Sequence, residues 1–284
     1  MEFFEALFNY KFIQNAYIVG ILLGFVAPIL GSYVVVKRLS LIVEGVSHIA
    51  TAGICFSLFL SKVGILAINP IIFGVAFSLG GAALIEKIRT TFKEYSEISI
   101  PVVISLSTAF MILFTSLAGG FNQDFSSFMF GNILTTTNTE LYLITIIFIL
   151  ILILGKRYYR ELLAFAIDEE YCKYSNINTR YFKIAFNILI ALVITVSIKV
   201  VGMLLVSALV IIPVSSASKI SNNFKKTIIF AILFSEISVL GGLIMSYYIN
   251  IPSGATIVFI NIIIFIVTIL IDRVKPFSNS KDKV

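Results

Sequence analysis

The one histidine of the chain, His48, lies in an apolar run, SLIVEGVSHIATAG, with Glu44 four residues before it. On a helix, residues at i and i+4 share a face, so an imidazole nitrogen and a carboxylate oxygen can converge there on one small cation. These donors suit zinc, manganese or ferrous iron, and because raw affinities follow the Irving–Williams order, geometry and supply decide the cargo. Two side chains cannot fill a four- to six-coordinate shell. That deficit suits an ion that must be released, with waters or a second copy of the chain supplying the remaining ligands. The same two residues could instead hydrogen-bond each other or a neighbouring helix. Glu236, in TIIFAILFSEISVLGG, is the other deep charge. It could complete a metal shell, line a pathway, pair with Lys199, or stand neutral and hydrogen-bonded.

The elements that must position these groups are set by lipid. Hydrophobic residues make up 59% of the 284-residue chain, charged residues only 13%, and Phe alone occurs 26 times. No water-soluble core can hide that much apolar surface, and runs of about 20 apolar residues recur where sustained strand alternation is missing. The chain is therefore expected to be all-α and polytopic, a single transmembrane domain over 1–284 with a short cytoplasmic tail from 272. Spans are expected at 12–36, 39–60, 64–85, 98–118, 141–155, 182–198, 200–218, 227–249 and 254–271, which is nine. An eight-span alternative stays open, because 141–155 is short and 182–218 is divided only around Lys199 to Gly202. Alternation then places 18 of the 21 basic residues on one side, leaving only Lys11, Lys62 and Lys199 on the other. The positive-inside bias makes the first side cytoplasmic, with the N-terminus outside. By helical rise Glu44 lies about 9 Å and His48 about 15 Å beyond Arg38, inside a hydrocarbon core about 30 Å thick. Ionisable groups at such depth mark a substrate or ion route more often than a structural contact.

Other features exclude functions. The net charge of +6 comes from short basic clusters between apolar runs, which topology explains without nucleic acid. Cys55 and Cys172 lie at different depths and form neither a disulfide framework nor a metal cluster. The opening MEFFEALFNYKF has no basic n-region or small-residue cleavage site and reads as an uncleaved lead-in. The stretch 119–140 reads as an external loop with a short interfacial helix. Pro28, Pro213 and Pro252 and the pairs Gly80–Gly81 and Gly241–Gly242 read as bends and close helix packing. In FAIDEEYCKYSNI, Asp168, Glu169 and Glu170 open a short helix, Asp168 as its cap and the acids complementing its dipole. That stretch is either a solvated turn or a docking helix for a cytoplasmic partner.

Five strings, GSYVVVKRLSLIVEGVSHIATAG, MFGNIL, AIDEEYCKYSNI, VVGMLLVSALVIIPVSSA and INIPSGATIVF, resemble in order and spacing the membrane subunits of bacterial zinc/manganese ATP-binding-cassette importers. That family is similar in architecture to the vitamin B12 and siderophore importers. The resemblance covers about residues 12 to 270. It implies a multi-pass permease of the bacterial plasma membrane that works as a homodimer. The permease would carry cytoplasmic ATPase subunits and receive metal from an extracytoplasmic metal-binding protein. It also implies that Glu44 and His48 hold the transported metal transiently, with no permanent cofactor. Glu44 stands where many relatives have Asp. The stretch from Asp168, Glu169, Glu170 and Tyr171 to Ile177 would couple to the ATPase. The chain itself would hydrolyse nothing, in keeping with its lack of a GxxxxGK[ST] phosphate loop. Two rivals remain: a secondary carrier relaying protons through Glu44, His48 and Glu236, and an intramembrane metalloprotease. For the latter, one histidine and no HExxH helix supply too few ligands.

Overall fold

The computed structural model describes residues 9–65, 69–92, 98–120, 123–133, 136–175 and 179–274. The opening residues 1–8, Ile177 and the tail beyond 274 lie outside the described residues, so the lead-in and tail readings and the coupling role of Ile177 fall there too. Within them the chain is helical: α1 (Lys11–Val36), α2 (Ser40–Val63), α3 (Pro70–Thr91), α4 (Ser99–Leu117), α5 (Gln123–Phe130), α6 (Asn138–Arg157), α7 (Tyr159–Ile167), α8 (Glu169–Tyr174), α9 (Thr179–Val201), α10 (Val206–Ile220), α11 (Phe224–Ile249) and α12 (Ser253–Val274). Eight of these are long and apolar enough to cross a membrane, and α10 is the short apolar exception.

The ends of α10 show that it too runs from one face to the other. Its entrance, the turn at Gly202, is tied to the outer segment around α5 by hydrogen bonds from Met203 N–H to Phe128 O (3.0 Å) and from Asn132 N–H to Lys199 O (3.0 Å). Its exit leads into Phe224, whose ring meets Tyr33 and Tyr159 at the cytoplasmic ends of α1 and α7. Fifteen residues rise only about 22 Å, less than a hydrocarbon core. The shortfall is tolerable because α10 packs against α1, α11 and α12, with Val206, Leu209, Val210 and Pro213 buried. Eight of the nine expected crossings are thus long enough to span, and the choice between nine spans and eight comes down to the short helix α10.

Boundaries moved where capping chemistry outweighed hydropathy. The third span begins at Pro70 rather than at 64, because the Asn69 side chain accepts the Ile71 N–H at 3.0 Å and Pro70 occupies the first turn, where its missing N–H costs nothing. The fifth span is 20 residues rather than 15, since Thr137 and Glu140 form a capping box at its start. Glu140 does more than cap. Its Oε2 accepts the Thr137 N–H at 2.8 Å while its Oε1 accepts Lys199 Nζ–H at 2.5 Å. Lys199 is therefore engaged by Glu140, and the alternative that it pairs with Glu236 is corrected. The segment 119–140 carries the short helix expected of it, α5, and Phe125 on that helix is among the most deeply buried side chains.

Small residues let the helices approach. A Cβ on Gly53 would meet the Phe73 carbonyl oxygen at 2.6 Å, and one on Gly242 would meet the Ile257 backbone at the same distance. Gly31 of α1 abuts the Val210 carbonyl oxygen of α10 so closely that a Cβ would overlap it. Of the two glycine pairs, Gly81 is pressed on Ile49 while Gly80 faces open space. Packing without hydrophobic force between helices depends on such approaches. Helices α1 and α10 run continuously through Pro28 and Pro213. Gly31→Val should cost about 1–3 kcal/mol through overpacking, read as a lower Tm of the detergent-purified protein. Gly80→Ala should show no such loss.

Candidate functional site

Glu44 and His48 lie one turn apart on α2, within its cytoplasmic half. The turn is assembled from small residues: Gly45 faces Ile85 and Ile100, and the Ser47 and Thr51 hydroxyls donate back to Glu44 O (2.8 Å) and Ser47 O (2.9 Å). Those hydroxyls are satisfied on their own helix and do not compete for the Glu44 and His48 side chains. His48 is half-buried and Glu44 exposed at the bundle's flank, close enough to act electrostatically on the imidazole. The one side-chain hydrogen-bond contact of His48 among the described residues is Nδ1 to Thr108 Oγ1 of α4, 3.3 Å. No third His, Cys, Asp or Glu joins the pair within the described residues. One chain therefore offers one imidazole and one carboxylate here, two donors that could fill only part of a metal shell.

Glu236 stands elsewhere. Its carboxyl packs against Gly24 of α1, where a Cβ would meet Oε1 at 2.5 Å, and that buried oxygen has no hydrogen-bond partner among the described residues. No hydrogen bond or ion pair joins it to Glu44 or His48 among the described residues. The structure thus brings together two of the three deep groups that the sequence singled out.

At the cytoplasmic face, Asp168 separates α7 from α8. Its extended backbone ends the first helix, and its Oδ1 accepts the N–H groups of Glu170 (2.8 Å) and Tyr171 (3.0 Å). The capping role expected of Asp168 holds. Glu170 and Tyr171 project outward together with Ile167 and Tyr174, the last 89% exposed. Tyr174 lies within the stretch that the sequence reading named, whereas Ile167, 69% exposed just before it, was not singled out; an apolar residue flanking an acidic run is the signal that would have found it. Glu169 turns inward instead, to Lys37 at 3.8 Å and Lys183 at 4.0 Å. Lys183 also holds Glu86 of α3 at 2.5 Å, and Lys37 lies over the buried Phe165 ring, 3.2 Å from its centroid. Lys37 is the first residue after α1, and two residues later α2 begins. The α7–α8 elbow is therefore tied to the joint that carries the Glu44–His48 helix, a connection sequence reading also missed.

Burial lowers the Lys37 ammonium to about 8, against the opposing pull of Glu169. Lys37 is charged below that pH and neutral above it, so its attraction to Glu169 and the Phe165 face fades as pH rises through about 8. The α7–α8 elbow should then loosen from the end of α1 across this window in the wild type, and in Lys37→Arg, whose guanidinium stays charged, it should not. Amide hydrogen exchange of Glu169–Tyr174 in the detergent-purified protein from pH 7 to 9, set against the intrinsic pH dependence, reads the difference.

A bundle with eight membrane-length helices and one shorter apolar helix, a carboxylate and an imidazole one turn apart on one of the long helices, and an exposed elbow on the basic side, is that of a polytopic membrane protein. The chain belongs to the ABC 3 transport family, whose match spans residues 9–272. It is 29% identical to the manganese transport system membrane protein MntC of Listeria innocua, over 100% of this chain and 99% of that one. To the high-affinity zinc uptake system membrane protein ZnuB of Buchnera aphidicola it is 30% identical, over 88% of this chain and 93% of the relative. Among solved structures, PsaBC from Streptococcus pneumoniae in complex with Fab superposes with a TM-score of 0.82 at 26% identity, over 94% of each chain. An inward-facing putative metal-chelate type ABC transporter shares the fold, with a TM-score of 0.66 at 16% identity over 94% of this chain and 88% of the other.

Proposed function

We propose that this chain is the membrane-spanning permease subunit of an ATP-binding-cassette importer that carries a divalent transition metal, zinc or manganese, into the cytoplasm. The observation that carries this reading is the Glu44–His48 pair, set inside a spanning helix of a chain that belongs to the ABC 3 transport family. Relatives named for manganese and for zinc transport support the cargo class. Family membership sets aside the secondary, ion-coupled carrier, because the driving reaction is ATP hydrolysis.

The remaining parts follow by chemistry. ATP hydrolysis belongs to a separate cytoplasmic subunit, and the Ile167, Glu170, Tyr171 and Tyr174 knob is the surface that fits its groove. Asp168 shapes that knob, and Glu169 ties it to α1. An extracytoplasmic metal-binding protein delivers the ion at the face carrying α5. Exposure of the Glu44 carboxylate on a spanning helix supports a homodimer, since lipid is a costly neighbour for it and a second copy would both cover it and offer a second pair of ligands. Glu236 contributes a polar point along the α1–α11 seam, and its carboxyl would face the ion only if that seam opens.

Reconstituted vesicles holding the permease, its ATPase and the binding protein test the reading. Glu44→Ala and His48→Ala should each lower zinc or manganese uptake at least about tenfold, the loss expected when coordination is removed, with membrane level and ATPase docking unchanged. Wild-type uptake in both variants would refute the pathway. Tyr174→Ala combined with Tyr171→Ala should release the ATPase on co-purification while leaving the fold's Tm unchanged.

A further inference from the structure

We propose that Thr108 is a positioning residue for His48, fixing the imidazole so that Nε2, and not Nδ1, meets the transported cation. This rests on the reading that His48 binds that cation. A threonine hydroxyl carries one proton, and the Thr108 proton goes to the Ile104 carbonyl 2.8 Å away on its own helix. Toward His48 the same oxygen can only accept, so across 3.3 Å it is Nδ1–H that donates to Thr108 Oγ1. A neutral imidazole has one N–H. With that hydrogen on Nδ1, the lone pair lies on Nε2, the nitrogen on the far side of the ring from α4.

Three features make the arrangement fixed. The β-branched Thr108 has few rotamers, and its bond to Ile104 holds one of them. Helices α2 and α4 are held in register by Gly45, whose absent side chain lets Ile85 and Ile100 close in. The neighbouring hydroxyls of Ser47 and Thr51 are spent on backbone carbonyls and offer His48 no alternative partner. Metal-binding histidines generally depend on such a partner at the second ring nitrogen, which sets tautomer and ring orientation and is worth ten- to hundredfold in metal affinity. The acceptor here is a neutral hydroxyl rather than a carboxylate. It orients the ring without adding negative charge, which suits a site that must let go of its ion.

The test is equilibrium Zn²⁺ binding to the permease–ATPase complex in nanodiscs, without the binding protein, by competition with a chelating dye. Thr108→Val keeps the shape and removes the acceptor, and should weaken binding ten- to hundredfold. Thr108→Ser keeps the hydroxyl and should bind within about threefold of wild type. Thermal stability and ATP hydrolysis should be unchanged in both, which a merely structural role for the hydroxyl would not predict. Wild-type affinity in Thr108→Val alongside weakened binding in His48→Ala overturns the Thr108 inference alone. So does failure of Thr108→Ser to restore affinity. Zn²⁺ binding no tighter in wild type than in His48→Ala overturns the metal reading beneath it.

Discussion

A hydrocarbon interior offers no hydrogen bonds, so each polar group inside this bundle must be satisfied by the protein or be held for use. That constraint sorts the interior. Ser32, Ser47, Thr51, Ser107, Thr195 and Ser197 each donate to a carbonyl three or four residues back on their own helix. The Glu140 carboxylate spends both oxygens, one on a helix start and one on Lys199. Against these settled groups, a half-buried imidazole with one nitrogen bonded to Thr108 and an exposed carboxylate one turn before it are conspicuous, because the fold spends neither pair of donor atoms in full.

The two ends of the bundle answer the same constraint differently. Outside, backbone meets backbone: Gly131, Gly202 and Gly254 come from three separate segments, and a Cβ on any of them would strike main-chain atoms of Phe130, Val201 or Gly202. Two of the three, Gly131 and Gly202, also have positive φ, which only glycine adopts without strain. At the other end long charged side chains span the gaps, with Lys37, Glu86, Glu169 and Lys183 tying three helices to the joint between α1 and α2. A glycine-locked outer face and an ion-paired inner face give the molecule one end held by shape and another held by charge.

Much of this was legible in the sequence, for identifiable reasons. Apolar run length located the eight long spans and the short α10 between two of them. The i, i+4 spacing put Glu44 and His48 on one face. Span edges at 64 and 141 were misplaced because hydropathy is blind to the Asn69 cap and the Thr137–Glu140 box, whose polar atoms do helical work. Thr108 and Lys37 were invisible because their meaning lies in partners 60 and 132 residues away. Spacing rules reach one or two helical turns; contacts between helices have no such signature in a single sequence.

Arg38 stands between the 26-residue α1 and the 24-residue α2 with φ +56, a left-handed conformation that a residue with a Cβ seldom adopts. Only Lys37, Arg38 and Leu39 separate the two helices, and their N–H groups bond back to Tyr33, Val35 and Val34. Such a joint has no slack to absorb a rotation. The two helices are joined as closely as the arms of a bell crank, with three hydrogen-bonded residues and no free loop between the 26-residue arm and the one that bears the imidazole.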